Sequence, residues 1–269
     1  MRTAFRLHLS RCRLLATAGW VLLLPWLAVG AAGAQSLGPE LDEPRHESVE
    51  GQCVVLLHGL GRTHRSMARI ESALRQAGFA TANIDYPSQG HSIEASALEA
   101  VPQGVAECRD GGARTIHFAT HSMGGLVLRY YLSGHEVPEL GRVVMLGPPN
   151  QGSEIADAMA GTAIYDRING PAGGQLVTGP QGLPARLGPV DFPLGIIAGN
   201  EQTAIDSVLA SRIPGENDGK VAVERAKVEG MDDFIVLPVN HTFMVINEVV
   251  IGQALQFLRH GHFLHEVAH

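Results

Sequence analysis

A serine hydroxyl becomes a nucleophile when a general base takes its proton and a carboxylate orients that base. The sequence offers such a set in the order Ser122, Asp218, His241. Ser122 stands in Thr120-His121-Ser122-Met123-Gly124-Gly125, between the strand-like run TIHFAT (115–120) and a helical pattern over 124–133. A serine on a sharp strand-to-helix turn projects its hydroxyl into the crevice at the end of a sheet, and small residues two positions either side let strand and helix approach. Gly124 meets that need, whereas Thr120 stands where glycine is usual. A Ser-Gly turn alone most often marks a loop, so the surroundings carry the weight.

Thirteen histidines compete for the role of base. His241, in Val239-Asn240-His241-Thr242, is best placed, after the last strand-like run and at the start of the last helical pattern. His117 lies within a strand and reads as packing, and His121 faces away from the serine by alternation. His64 and His91 occupy loops at the correct edge and remain rivals. His260, His262, His265 and His269 form a tail that reads as solvated rather than metal-binding. Asp218 in NDGKV is the acid of choice, since Gly219 permits a tight turn that aims a carboxylate inward. Glu201 and Asp206 are the alternatives, and an Asp-Gly pair by itself usually means only a turn. The Gly-rich turn His58-Gly59-Leu60-Gly61 can present the Leu60 N–H opposite the Met123 N–H as a two-donor oxyanion hole. Loss of one such donor typically costs ~3 kcal/mol of transition-state stabilisation. His58 itself reads as structural.

These residues need a scaffold, and the chain alternates strand and helix patterns. Strand-like runs occur at 53–57 (CVVLL), 79–86, 115–120, 142–146 (RVVML), 196–198 and 234–237. Helical patterns lie at 66–76, 93–108, 124–133 and 242–258, with Pro102 expected to kink or divide the second. The alternation implies βαβ units around a parallel sheet. Residues 161–189, rich in Gly and Pro, read as a lid-like excursion. Its Ile164, Leu176, Val177, Leu183 and Leu187 are candidates to line a substrate pocket, or merely to pin a loop.

A length of 269 residues with 45% apolar positions is ample for one α/β core and excludes wholesale disorder. A net charge of −7 argues against a nucleic-acid partner, which needs clustered cations. The charge is uneven: residues 1–34 carry Arg2, Arg6, Arg11 and Arg13 and no acid. A basic start, an apolar stretch over 14–30 and Ala32-Gly33-Ala34 describe a secretory signal peptide cleaved before Gln35. An inner-membrane anchor over 14–34 is the alternative. Residues 35–51 read as an extended leader, 52–260 as the folded domain and 261–269 as the His-rich tail. Export to the periplasm or beyond leaves Cys53 and Cys108 in an oxidising environment, where they form either a disulfide or two unrelated buried thiols.

VVLLHGLG, THSMGG, GPPNQGSE, NDGKVAVE and NHTFM, in this order, resemble the bacterial lipase and esterase branch of the α/β-hydrolase superfamily. The resemblance runs from about residue 53 to 258. It implies a minimal α/β-hydrolase fold of about six mostly parallel strands, with helices on both faces and two leading strands missing. It further implies Ser122 as nucleophile, Asp218 as acid, His241 as base, and Leu60 and Met123 as oxyanion donors. The family's sheet order brings Cys53 and Cys108 to the edge opposite the active site, which favours the disulfide. The expected activity is hydrolysis of a small-molecule or lipid carboxylic ester through an acyl-enzyme, without metal or organic cofactor and with peripheral contact to a lipid surface. An acyltransferase or thioesterase on the same three residues is the alternative, and an inactive binding protein of the same fold the more distant one.

Overall fold

The structure is a computed structural model that describes residues 49–203 and 210–265. The signal or anchor segment, most of the leader, Asp206 and His269 lie outside the described residues. Six parallel strands form one sheet in the order β2-β1-β3-β4-β5-β6. They are β1 (Gln52–Leu57), β2 (Ala80–Ile84), β3 (Thr115–His121), β4 (Leu140–Leu146), β5 (Leu194–Gly199) and β6 (Asp233–Leu237). The chain runs from β1 outward to β2, then returns to lay β3 on the other side of β1 and proceeds in the opposite direction. The carboxyl ends of β1 and β3 therefore flank the point where the winding reverses, the position at which open parallel sheets leave a crevice for ligands.

Apolar runs without polar alternation suit strands covered on both faces. Val55, Leu57, Phe118 and Met145 face one core, under α2 (Ile93–Asp110) and α3 (Met123–Leu132). Val54, Leu56, Ala119 and Val144 face the other, under α1 (Ala68–Gln76) and the last helix. Cys53, at the start of β1, is disulfide-bonded to Cys108 of α2, with the Cα atoms 5.7 Å apart. The bond lies at the amino end of the sheet, away from the crevice.

Three elements differ from the sequence expectation. Helix α2 runs unbroken through Pro102. The proline removes the partner of the Leu98 carbonyl, and Leu98 is 51% exposed, at the solvent side of the helix. The last helix does not begin at 242. The Asn240 side chain accepts from the N–H groups of Thr242 and Phe243 and turns the chain, a short 3-10 turn follows at Met244–Ile246, and Asn247 caps a helix starting at Glu248. Asparagine carboxamides compete with the backbone for its own N–H groups, which ends or starts helices that apolar spacing alone would run together.

Residues 161–189, expected to lack structure of their own, contain two helices. After α4 (Glu154–Met159) come α5 (Ala163–Gln175) and α6 (Leu183–Leu187). Helix α5 is broken at Gly170, with φ 62° and ψ −162°, where Pro171 follows. A Cβ at Gly170 would sit 1.7 Å from the Gln89 carbonyl oxygen, so only glycine brings α5 this close to the loop after β2. The far end of the segment is held by Arg129 of α3, which donates to the Gly188 carbonyl (2.6 Å) and to Asn150 (3.0 and 3.1 Å). Burial lowers the pKa of that guanidinium to about 10. Two short helices complete the order, α7 (Val223–Ala226) and α8 (Glu248–His260), the latter being the longer and packing on the second core.

Candidate active site

Ser122 occupies the single residue between β3 and α3, with φ 53° and ψ −124°. Among the described residues it alone combines a side chain with positive φ. Such a backbone costs on the order of 1–3 kcal/mol and persists where its surroundings over-determine it. Here the Ser122 N–H donates to the Leu146 carbonyl at 2.8 Å, pinning the turn to the end of β4. A Cβ at Gly124 would come 2.5 Å from the Leu57 carbonyl oxygen and 2.9 Å from that of His58, so the first turn of α3 lies directly on β1. Thr120 is fully buried and fits where glycine was the usual residue.

The three side chains separated by 119 residues meet at this turn. The Ser122 hydroxyl donates to His241 Nε2 at 2.9 Å, and His241 Nδ1–H donates to Asp218 Oδ2 at 2.7 Å. Asp218 and His241 are buried, 1% and 5% exposed. The other carboxylate oxygen of Asp218 accepts from the N–H groups of Lys220 (3.0 Å) and Val221 (2.8 Å), which fixes the carboxylate plane. His241 also donates its main-chain N–H to the Asp218 carbonyl at 2.9 Å. A carboxylate on Nδ1 leaves Nε2 free to accept a proton, the tautomer a general base requires.

The rivals are elsewhere. Glu201 is exposed. His64 lies 3.3 Å from Asp85 and His91 3.2 Å from Glu99, each at the surface. His260, His262 and His265 are exposed, and His265 pairs with Asp233. His58 is fully buried, stacked on Tyr86 with ring centroids 4.2 Å apart. His117 is enclosed between Gln52 and the Arg142 N–H, and burial pushes its pKa down to about 4.

His121 corrects the alternation argument. Its side chain does point to the face opposite Thr120, but the loop carrying His241 wraps over that same face. His121 Nε2–H therefore donates to the His241 carbonyl at 3.1 Å, and the two rings lie 5.0 Å apart. Burial holds the His121 imidazole neutral, and the nearby His241, Arg62 and Lys220 act in the same direction.

A cavity of about 390 Å³ opens beside Ser122. Leu60, three residues beyond the end of β1, lines it, and Met123 supplies the first N–H of α3. The turn carrying Leu60 is closed by Arg62 N–H on the Gly59 carbonyl, and the Gly61 N–H donates to the buried Ser88 hydroxyl at 3.1 Å. Of the five side chains expected along the pocket, Leu176 is there, whereas Val177 packs against the first core. Ile164 is 72% exposed, Leu183 is buried in the first core and Leu187 packs against that core. The apolar wall is made instead by Ile155, Met159, Tyr165, Ile168 and Val221. The i, i+4 pair Ile155–Met159 and the i, i+3 pair Tyr165–Ile168 mark apolar helix faces in the sequence, but not that those faces line the pocket.

Residues 54–232 match the alpha/beta hydrolase family, and the chain belongs to that family. Its fold is similar to those of solved bacterial and metagenomic lipases and esterases. The mature lipase BlEst2 from Bacillus licheniformis superposes with a TM-score of 0.64 at 20% identity, over 77% of this chain and 91% of that one. A metagenomic carboxyl esterase gives a TM-score of 0.56 at 21% identity, over 72% of this chain and 65% of that one. No curated protein sequence matches.

Proposed function

We propose that this protein is a serine hydrolase that cleaves carboxylic esters by two-step acyl transfer. The observation that carries the reading is the continuous relay from Asp218 through His241 to the Ser122 hydroxyl, at 2.7 and 2.9 Å, opening on a cavity with an apolar wall. As the Ser122 oxygen bonds to the ester carbonyl carbon, its proton passes to His241 Nε2. The negative charge on the carbonyl oxygen is met by the N–H groups of Leu60 and Met123, the latter at the positive end of α3. His241 then gives its proton to the departing alcohol oxygen as the ester C–O bond breaks. Water, deprotonated by His241, attacks the acyl-enzyme and returns Ser122 to its hydroxyl form. Asp218 holds the Nδ1–H and steadies the imidazolium. The sequence requires no metal or organic cofactor.

The apolar wall supports an aliphatic acyl group, and the structural relatives, a lipase and a carboxyl esterase, point the same way. We place the enzyme outside the cytoplasm, on the basic–apolar–small order of residues 1–34 and the presence of a disulfide. The test is labelling of the folded protein with a fluorophosphonate probe, together with hydrolysis of 4-nitrophenyl esters. Labelling that disappears in Ser122→Ala, with parallel loss of hydrolysis, is the expected result. Equal labelling of wild type and Ser122→Ala would overturn the reading.

A further inference from the structure

The cavity beside Ser122 is flanked by two cations. Arg62 lies two residues beyond Leu60 in the loop after β1, and Lys220 two residues beyond Asp218 in the loop after β5. These loops stand on opposite sides of β3 in the strand order, so the two charges bracket the nucleophile. Both side chains are exposed, and neither forms an ion pair among the described residues, unlike the Arg69, Arg75, Arg109, Arg225 and Lys227 side chains, which do. No aspartate or glutamate lines the cavity. This local sign is opposite to that of the whole chain, which carries −7. An acidic protein that surrounds one cleft with unpaired positive charge concentrates anions there.

The remainder of the cavity divides the substrate. Ile155, Met159, Tyr165 and Leu176 make an apolar wall, which suits the acyl chain. The cations both line the cavity and reach solvent, which suits them to the alcohol side of the ester. Both charges act inside the site: after burial and the neighbouring His241, Arg62 and Lys220 each disfavour a proton on His121, which contacts the His241 carbonyl.

Building on the ester hydrolase reading, we infer that the preferred substrates are esters of anionic alcohols, bearing a phosphate or carboxylate on the leaving group, and that Arg62 and Lys220 select them. The anion contributes binding at the rim while the neutral acyl chain fills the apolar wall. Exposed charge pairs of this kind act mainly on capture and are weakened by salt.

The test compares octanoylglycerol 3-phosphate with octanoylglycerol, both below their aggregation concentrations, with the disulfide-bonded protein. The ratio of their kcat/KM values should favour the phosphate by about tenfold at low salt and fall to within about threefold at 0.5 M NaCl, where screening is short-ranged. Arg62→Gln with Lys220→Gln should remove most of the ratio, and Arg62→Lys with Lys220→Arg should retain it. Because each variant is scored by its own ratio, a general loss of folding does not imitate the effect. The same pair presented in phosphatidylcholine vesicles assigns the source of the anion: a preference in free solution points to a soluble phosphate ester, and one confined to vesicles to a lipid headgroup. Hydrolysis of octanoylglycerol with a ratio of one or below both in free solution and in vesicles, or a ratio unchanged in the double glutamine variant, overturns the anion preference and leaves ester hydrolysis standing. Cleavage of neither ester, with no fluorophosphonate labelling, overturns both.

Discussion

The imidazole of His121, one residue before the nucleophile, carries the main-chain carbonyl of His241 on its Nε2–H at 3.1 Å. The loop that holds the base is thereby tied to the strand that holds the serine, independently of the Ser122–His241 contact. His121 touches no reacting atom and is a positioning residue. His121→Ala should lower kcat by about 10- to 100-fold with little change in KM, because displacement of the base by ~1 Å costs that much. His121→Gln, which keeps a donor, should recover part of the loss. Steady-state kinetics on a soluble ester decides it, and an unchanged kcat in the alanine variant would show that Asp218 alone fixes the base.

Gly124 tests the elbow from its other side. An added methyl would meet the Leu57 carbonyl at 2.5 Å, an atom of β1 that cannot move without breaking the sheet. Gly124→Ala should therefore cost about 1–3 kcal/mol of stability, as other overpacked sites do. It should also reduce activity more than stability alone explains, since it separates the Leu60 turn from the start of α3. Gly134→Ala, where the space is open, is the control. Urea denaturation and kcat measured on the same preparations separate the two effects.

Acid should destabilise the protein through its buried histidines. Burial lowers the pKa of His58 and His121, and of His117 to about 4, against 6.5 in the unfolded chain. Above pH 6.5 both states hold these rings neutral and the full stability is present. Below it the unfolded chain takes up protons that the folded chain refuses, so stability falls with pH, and the His117 contribution levels off near pH 4. Each ring adds up to about 1.4 kcal/mol per pH unit to the slope. Denaturation at pH 7, 6 and 5 should show the decline, and His117→Gln should flatten it. A stability constant from pH 7 to 5 contradicts the prediction.

The Cys53–Cys108 bond closes a chain separation of 55 residues. In the loop-entropy picture, a closure of that length stabilises by about 4 kcal/mol. Cys53→Ser with Cys108→Ser should lower the melting temperature while leaving the Ser122 geometry intact, because the bond lies at the end of the sheet away from the crevice. Alkylation of both Cys53 and Cys108 in unreduced protein would refute the pairing.

The sequence carried the site better than its walls. Ser122, Asp218 and His241 were legible because each follows a strand-like run and sits in a turn that allows few residue types. The six strands were legible because runs such as VVLL and RVVML are buried on both faces and have no helical reading of that length. The start of α8 was hidden, because apolar spacing continues through 242–247 while the Asn240 and Asn247 side chains redirect the backbone. The pocket wall was hidden for a different reason. Ile155, Tyr165 and Val221 become neighbours only through the way α4 and α5 fold over the sheet, which no local pattern encodes. His121 was misread because alternation tells which face a side chain takes, not which distant loop covers that face.

The left-handed backbone at Ser122 has a consequence for anyone seeking a hardier version of this protein. Glycine at 122 would relax the one side-chain-bearing residue held there against its steric preference, so a screen scored on heat resistance alone would be drawn to that position. The same exchange removes the oxygen on which turnover depends. Selection for durability must therefore be scored with catalysis in the same assay, or it will converge on a sturdier molecule that has lost its trade.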